Sequence, residues 1–285
     1  MKTFYKKLLG VLAVTLLCVS VAFPVRAVVD DSYTKSLLHF DGADASTTFT
    51  DESGKTVTPN GNAQLDTAQK VFGTASSLLD GNGDYLTWSD STDFSPGTGA
   101  FTIDFRIRIN SLGAYNTVLD MRTADNATVN DLAFGVQWGA SGKPYVYGLG
   151  NGAGATEIAT AFSTNTWYHV ALVGNGGADG SRTVKCYING VLADGVTVTV
   201  NYNLNLNRLV LGTYALKNNY FFNGWIEEFR FSKGIQRWTS DFTPPSAQYE
   251  PITTYIKTID GLTKASVKTV NGLSISSVKT WLGLQ

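Results

Sequence analysis

The fold of this chain is decided by residues 101–109, which read FTIDFRIRI. Apolar and polar side chains alternate there without interruption, which is the period of a β-strand with one buried face. Residues 166–173 (TWYHVALV) and 182–188 (RTVKCYI) are rich in the aromatic and β-branched residues that favour strands. Asn189 and Gly190 follow directly and predict a type I′ hairpin turn. These segments together predict consecutive antiparallel strands.

The remainder of the chain also predicts β-strands. No window of 12 or more residues has a helical period. Short apolar segments recur between turns that are rich in Asn, Asp, Ser and Thr, and the chain contains 29 glycines. Strands at this spacing predict an all-β, antiparallel two-sheet sandwich.

Residues 1–27 are predicted to be a secretory signal peptide. Three lysines precede an apolar stretch at residues 8–21, and small residues, Val25 and Ala27, flank Arg26 at the end. A transmembrane anchor is the alternative, but the stretch is shorter than the roughly 20 residues that a span requires. We therefore expect a secreted, extracellular protein with no membrane span after cleavage.

The charge of the mature chain argues against polyanionic partners. The leader carries Lys2, Lys6, Lys7 and Arg26 and no acid, so its removal leaves 18 of the 22 basic residues against 23 acidic ones. A mildly acidic chain without basic clusters is a poor candidate for binding nucleic acid or anionic membranes. Cys186 is the one cysteine left, and it is expected to be a buried structural thiol.

The C-terminal residues 251–285 form a separate region with an internal repeat. The motifs IKTIDGL, VKTVNGL and VKTWLGL begin at residues 256, 267 and 278, which is a period of 11. Each unit resembles a short strand that ends in a tight turn. The repeats predict either a small β-arm that supports self-association through residues 256–285 or a tail without fixed structure.

Several segments, in order, resemble the laminin-G-like domains of the concanavalin-A-like lectin/glucanase superfamily. The similar segments are residues 36–42 (SLLHFDG), 79–86 (LDGNGDYL), 101–105 (FTIDF), 166–173 (TWYHVALV), 187–190 (YING) and 223–232 (NGWIEEFRFS). The resemblance implies a jelly-roll sandwich of two curved antiparallel sheets over residues 28–250. It also implies recognition of a glycan or an extracellular protein, as in adhesion, and it does not cover the tail.

The resemblance further implies a structural calcium ion. In the family, the opening and closing strands frequently hold one ion, and the matching positions here are Asp41, Gly42 and Glu227. Calcium prefers six to eight oxygen ligands, so carboxylates and backbone carbonyls suit it. The alternative is that both acids are ordinary turn and surface residues. Because Ile226, Phe229 and Phe231 cannot share one face of a regular strand, a β-bulge is predicted near Glu227.

No catalytic constellation is apparent, and we expect a protein that is not an enzyme. The chain has two histidines, His39 and His169, and neither has the spacing of a zinc site. A glycan hydrolase needs two cooperating carboxylates. The Glu-x-Asp-x-x-Glu string of glucanases on this fold is missing, and Glu227 and Glu228 are adjacent, so a regular strand would point them to opposite sides.

Candidate ligand residues are aromatic and amide side chains near glycine-rich turns, because sugars stack on rings and hydrogen-bond to amides. The candidates are Tyr115, Trp138, Tyr145, Tyr147, Asn203 and Asn205. The alternative for each aromatic residue is that it covers the core. Two functional hypotheses result: a secreted binding module, or a structural subunit of an extracellular assembly that attaches through the C-terminal repeats.

Overall fold

The computed structural model describes residues 31–112, 115–123, 132–138, 143–148, 153–178, 180–199, 203–214 and 216–249, and four short strands of the tail. One structural unit spans Asp30–Tyr255, and a second unit includes Ile256–Gln285. The strands of the first unit are β1 (Thr34–Leu38), β2 (Val57–Asn60), β3 (Gln64–Asp66), β4 (Ser76–Asp80), β5 (Tyr85–Trp88), β6 (Phe101–Ile109), β7 (Tyr115–Arg122), β8 (Leu132–Trp138), β9 (Pro144–Gly148), β10 (Ala153–Glu157), β11 (Trp167–Gly174), β12 (Thr183–Ile188), β13 (Val191–Thr199), β14 (Arg208–Leu211) and β15 (Asn223–Lys233).

These strands form two antiparallel sheets, which confirms the predicted jelly-roll sandwich. The eight-stranded sheet has the order β13-β12-β11-β6-β15-β4-β3, with β1 also paired to β15. The seven-stranded sheet has the order β10-β9-β8-β7-β14-β5-β2. One short 3₁₀ helix (Thr92–Phe94) lies between β5 and β6. Within the described residues, no helix has the length and apolar character needed to cross a membrane.

The core lies between the sheets and uses the alternating residues of β6. Phe101, Ile103 and Phe105 are fully buried, as are Ile107 and Ile109. The ring of Phe105 contacts Phe134 of the opposite sheet edge-on, with centroids 5.7 Å apart. Aromatic contacts of this geometry stabilise a core beyond their buried area.

Two local predictions are confirmed. Asn189 and Gly190 both have positive φ, 51° and 80°, as a type I′ turn between β12 and β13 requires. The pairing of β15 with β6 shifts register between Glu227 and Arg230, and Glu228 has a φ of 52°. This bulge rotates the strand and lets both halves of β15 direct apolar side chains into the core. Cys186 is buried as expected, and burial raises the pKa of its thiol.

A covering segment, residues 234–249, lies over the outer face of the eight-stranded sheet. Its Trp238 and Phe242 stack at 4.0 Å and pack against Tyr187 and neighbouring residues of β11. The polar side of β6 is therefore buried in part: Thr102 and Asp104 are inaccessible to water, while Arg106 and Arg108 are half-buried. The alternation of β6 correctly predicted the core side, but the second buried side was not predicted.

The repeats of the tail contain short hairpins. Strands β16 (Thr258–Ile259) and β17 (Leu262–Thr263) pair with each other, as do β18 (Thr269–Val270) and β19 (Leu273–Ser274). Each of these two units thus contains two short paired strands, where the sequence suggested a single strand before a turn. The third repeat lies outside the described residues.

Candidate ligand-binding cleft on the seven-stranded sheet

The outer face of the seven-stranded sheet carries the side chains of β8 and β9 that alternate with the core. Phe134 and Val146 point inward, while Tyr145 and Tyr147 lie on the other face. Tyr145 is the cross-strand partner of Gly135, and its ring lies directly over that glycine. A hydrogen bond of 3.3 Å joins the Tyr145 and Thr117 hydroxyl groups. The ring of Tyr145 is thereby fixed flat against the sheet.

The loop that follows β14, residues 212–222, overhangs this face and is held by hydrogen bonds. The backbone N–H of Phe222 donates to Gly212 O at 2.8 Å and closes the base of the loop. The Thr213 hydroxyl donates to Asn219 O, also at 2.8 Å, and the N–H of Thr117 donates to Tyr220 O at 2.9 Å. Because these bonds close its base and join Tyr220 to β7, the described residues of the loop present their side chains in a defined arrangement.

Sheet and loop enclose a cleft of about 360 Å³, which we name the tyrosine cleft. Clefts that bind small ligands typically have volumes of about 300–1,000 Å³. The lining combines four tyrosine rings with amide and hydroxyl groups, and its members are Thr117, Ala133, Tyr145, Tyr147, Tyr214, Leu216, Asn218, Asn219 and Tyr220. Asn218 and Asn219 are exposed, so both amides reach solvent at the mouth.

A buried ion pair supports one wall of the cleft. Arg122 donates to both carboxylate oxygens of Asp120, at 2.8 and 3.1 Å, and both side chains are nearly inaccessible. The guanidinium group lies 4.5 Å from the centre of the Tyr214 ring. Stacking on a fixed cation restrains Tyr214, whose ring in turn meets Tyr220 edge-on at 5.8 Å.

Of the six ligand residues predicted from the sequence, the structure brings Tyr145 and Tyr147 into the cleft. Tyr115 and Trp138 are cross-strand partners in β7 and β8, and their side chains lie outside the described part. Asn203 and Asn205 are exposed and lie next to Gly97, because they alternate with Leu204 and Leu206, which enter the core. The structure does not place these two amides in the tyrosine cleft.

The loop residues of the cleft were not predicted from the sequence. The signal was present in residues 214–220, YALKNNY, where two tyrosines bracket two adjacent asparagines. The alternation pattern does not mark this segment, because it lies between β14 and β15 and belongs to neither strand.

The predicted calcium ligands hold the loop of residues 69–75 through hydrogen bonds. Asp41 accepts bonds from the Thr74 N–H and hydroxyl and from the Gln248 amide. Burial disfavours its charge, but these bonds outweigh that effect and lower the pKa of Asp41. The Gly42 N–H donates to the Thr74 hydroxyl at 2.9 Å. Glu227 accepts the N–H groups of Val71 and Phe72, and burial raises its pKa to about 7.

These contacts do not fit a calcium ion. The oxygens of Asp41 and Glu227 already face N–H and O–H donors, which an ion would have to displace. Among the described residues, no three His, Cys, Asp or Glu side chains gather in a way that could hold a metal. Calcium binding therefore stays a prediction that rests on the family resemblance.

The histidines and the adjacent glutamates are engaged in the structural network under the covering segment. The Nδ1 atom of His39 lies 2.7 Å from the Glu228 carboxylate, which also accepts the N–H of Tyr249. Burial disfavours the charged form of His39, yet the hydrogen bond and charge of Glu228 raise its pKa. His169 is buried beside Tyr249. These groups are covered by protein and do not line the tyrosine cleft.

The two antiparallel sheets define a lectin-like, jelly-roll domain. The chain belongs to the concanavalin A-like lectin/glucanases superfamily, since the profile of its Laminin_G_3 family matches residues 80–235, more than half of the sequence. No curated protein matches the chain significantly.

Solved structures with a similar fold include binding domains of botulinum neurotoxins. The chain is similar to the binding domain of botulinum neurotoxin DC in complex with SialylT (TM-score 0.51, 20% identity, covering 72% of this chain and 49% of that one). It is also similar to the receptor-binding domain of the botulinum neurotoxin C/D mosaic serotype (0.52, 17%, 72% and 49%). A third structure is the neurotoxin DC domain in complex with rat synaptotagmin II (0.50, 19%, 73% and 50%). The chain spans about half the length of these structures, and the similarity concerns the fold.

Proposed function

We propose that this protein is a secreted, non-catalytic module that binds a glycan at an extracellular surface through the tyrosine cleft. The observation that carries the proposal is the convergence of four tyrosine rings and two exposed amides in one cleft with a hydrogen-bonded frame. Sugar rings have apolar faces and hydroxyl-bearing edges. Tyrosine supplies an apolar surface with a polar tip, and asparagine supplies both a donor and an acceptor.

The composition of the cleft supports binding without catalysis. None of its described lining residues carries a carboxylate or an imidazole group. Hydrolysis of a glycosidic bond needs a pair of carboxyl groups at the bond that breaks. The buried Asp120 is bonded to Arg122 and serves to position Tyr214. Its role is therefore structural.

The proposal is tested by a glycan array on the full-length protein, followed by titration of the strongest ligand. Tyr147→Ala and Tyr214→Ala should each reduce affinity by about tenfold or more, since each removes a ring that the ligand covers. Tyr33→Ala is the matched control, because Tyr33 is an exposed tyrosine beside Gly234, away from the cleft. Unchanged affinity in both cleft variants, or no glycan bound on the array, would overturn the proposal.

Secretion is part of this proposal and rests on the leader pattern of residues 1–27. Expression of the full sequence in a secreting host should yield a mature protein that begins at Val28. N-terminal sequencing of the secreted protein measures this directly, and retention of the intact leader would contradict it.

We also propose a second role, attachment through the tail, because two of its repeats form hairpins at 11-residue spacing. Hairpins with two-residue strands are marginal alone, so strand pairing with a second tail or a neighbouring sheet edge would stabilise them. A protein that ends at Tyr255 should fold normally and sediment as a smaller species than the full chain. Equal sedimentation of the two proteins, relative to their masses, would show that the tail does not mediate assembly.

A further inference from the structure

One arginine on the outer face of the eight-stranded sheet has hydrogen-bond donors that no described residue uses. Arg108 lies on β6, and within the described part of the chain its guanidinium group contacts an aromatic ring but no acceptor oxygen. Because Arg108 is only half-buried, its five N–H groups are open to a ligand from solvent. The other described arginines each donate to a protein oxygen; they are Arg106, Arg122, Arg182, Arg208, Arg230 and Arg237.

The covering segment stops short of Arg108. Along the outward side of β6, this segment hydrogen-bonds to Thr102, Asp104 and Arg106. Arg108 is the next outward residue, and its described side-chain contact is with β15 and not with the covering segment. The end of the sheet at Arg108 therefore differs from the covered part, where a ligand would meet the segment first.

Arg108 has a tryptophan directly opposite it on both neighbouring strands. Trp167 of β11 and Trp225 of β15 are its cross-strand partners, so all three side chains lie on the same face. The guanidinium group lies 4.7 Å from the centre of the Trp225 ring. Trp167 is half-buried, so part of its ring reaches solvent. Cross-strand partners have Cα atoms about 4.5–5.5 Å apart, and one small ligand can therefore contact both Arg108 and Trp167.

The ring that supports Arg108 is itself held in place. The indole N–H of Trp225 donates to Asp66 at 2.7 Å, and the other Asp66 oxygen accepts the N–H of Ala68, also at 2.7 Å. Both oxygens of this acid are thus engaged, and Asp66 is not the counter-ion of Arg108. Stacking on a restrained ring limits the freedom of the arginine, so less entropy is lost when it binds a ligand.

A pair of amides lies beside Arg108 where β6 ends. The side-chain N–H of Asn110 donates to Asn223 Oδ1 at 3.0 Å, and its backbone N–H donates to Asn223 O at 3.0 Å. Side chains two residues apart on a strand share a face, so the two amides lie on the same face as Arg108 and Trp225. The bond between the amides leaves an acceptor on Asn110 and a donor on Asn223 for ligand hydroxyl groups. We name this set the Arg108 platform; its members are Arg108, Asn110, Trp167, Asn223 and Trp225.

The chemistry of the Arg108 platform suits a sugar that carries a carboxylate, as uronic and sialic acids do. The planar guanidinium fork matches the two oxygens of a carboxylate. An indole ring covers the apolar face of a sugar, and amides bind its hydroxyl groups. We propose that the Arg108 platform binds an acidic sugar, with the carboxylate on Arg108 and the sugar ring against Trp167. This site is on the opposite sheet from the tyrosine cleft and goes beyond the proposed function.

The test is an NMR titration of the full-length protein with methyl glucuronide and with methyl glucoside, in which –CH₂OH replaces the carboxylate. We expect the glucuronide to bind about tenfold more tightly at low salt and to lose part of this advantage at high salt. The signals of Arg108 and of the Trp167 indole N–H should shift. A methyl sialoside titrated in parallel distinguishes the two classes of acidic sugar, and binding of either acid supports the proposal.

Four variants locate the site. Arg108→Gln should remove the preference for the acid, and Trp167→Ala should weaken binding of the acid by about fivefold, because it removes the stacking ring. Arg108→Lys keeps the charge but not the planar fork, so its affinity should be intermediate, and it maintains the test if the glutamine variant fails to fold. Lys35→Gln is the matched control, since it removes one positive charge from β1, which pairs with the other half of β15. The preference should survive that change.

The contrary outcomes are specific. Equal affinity for glucuronide and glucoside, or no binding of either acid, would overturn the acidic ligand. A preference that survives Arg108→Gln, or shifts confined to signals of the tyrosine cleft, would overturn the assignment to the Arg108 platform. Inorganic sulfate that binds as tightly as the glucuronide would show that a bare anion is sufficient and would overturn the sugar. Failure of the proposed function is measured separately, by a blank array or by cleft variants that keep their affinity.

Discussion

Gly135→Ala is the most direct perturbation of the tyrosine cleft. A Cβ atom at this position would lie 2.1 Å from Cζ and 2.2 Å from Oη of Tyr145, whereas ordinary contacts begin at 3.4 Å. The backbone of Gly135 is not in the left-handed region, so the methyl group itself is the disturbance. The ring must move outward by more than about 1 Å to restore contact distance. That movement breaks the bond to Thr117 and puts the ring into the cleft.

Gly135→Ala should lower the stability of the domain modestly and its affinity for the glycan strongly. Forcing one extra methyl group into a packed contact costs about 1–3 kcal/mol, which corresponds to several degrees of melting temperature in a chain of this size. Glycan affinity should fall by about tenfold or more, because the displaced ring occupies part of the space that the ligand needs. The two effects are separable, since a general loss of stability would not lower the affinity of the folded fraction.

Thermal unfolding and titration with the best array ligand measure these two quantities. Tyr145→Phe is the matched control: it keeps the ring on Gly135 and removes the hydroxyl group that contacts Thr117 at 3.3 Å, so its effect on affinity should be small. If Gly135→Ala melts within roughly 1 °C of the parent and binds with equal affinity, the ring does not lie against the glycine as described.

Three further predictions concern acidic residues of the eight-stranded sheet and the loops beside it. Because burial raises the pKa of Glu227 from 4.5 to about 7, the folded state holds a proton that the unfolded state has lost. Unfolding free energy should fall by up to about 3 kcal/mol as pH rises from 4.5 to 7, and Glu227→Gln should flatten this slope in urea titrations. Chelation should leave the melting temperature unchanged, since donors already occupy Asp41 and Glu227; a fall that calcium reverses would instead support the ion. Asp104→Asn should lower the unfolding free energy by about 3–5 kcal/mol, measured by urea denaturation, because it leaves the charge of Arg230 buried without its partner.

The sequence predicted those parts of the fold that depend on local pattern. Strict alternation in residues 101–109 identified the core side of β6, and the Asn189–Gly190 pair identified the hairpin turn. The mismatch of phase between Ile226 and Phe229 identified the bulge, because a regular strand offers no other way to bury both side chains. Each of these inferences needs only neighbours in the chain.

The cleft could be predicted only in part, because its contacts join distant segments. Tyr145 and Tyr147 stood out as aromatic residues near glycine-rich turns, but their partners Tyr214 and Tyr220 come from a loop some 70 residues later. The absence of a side chain at Gly135 matters because the register of β8 and β9 places this residue under Tyr145, and the sequence does not show that register. Asn203 and Asn205, which were predicted as ligand residues, are exposed, yet sequence alternation cannot say which cleft an exposed face adjoins.

The covering segment is one reason for placing the proposed binding face on the seven-stranded sheet. On the opposite sheet, Arg230 and Asp104 form a buried pair with two hydrogen bonds, and the Tyr249 hydroxyl donates to the same carboxylate. Burial opposes the charge of Asp104, but Arg230 and His169 lower its pKa to about 2, so the network remains charged at neutral pH. A ligand would have to break this network to reach the part of the eight-stranded sheet that the segment covers. The tyrosine cleft requires no such rearrangement, because the buried pair of Asp120 and Arg122 already supports the wall at Tyr214.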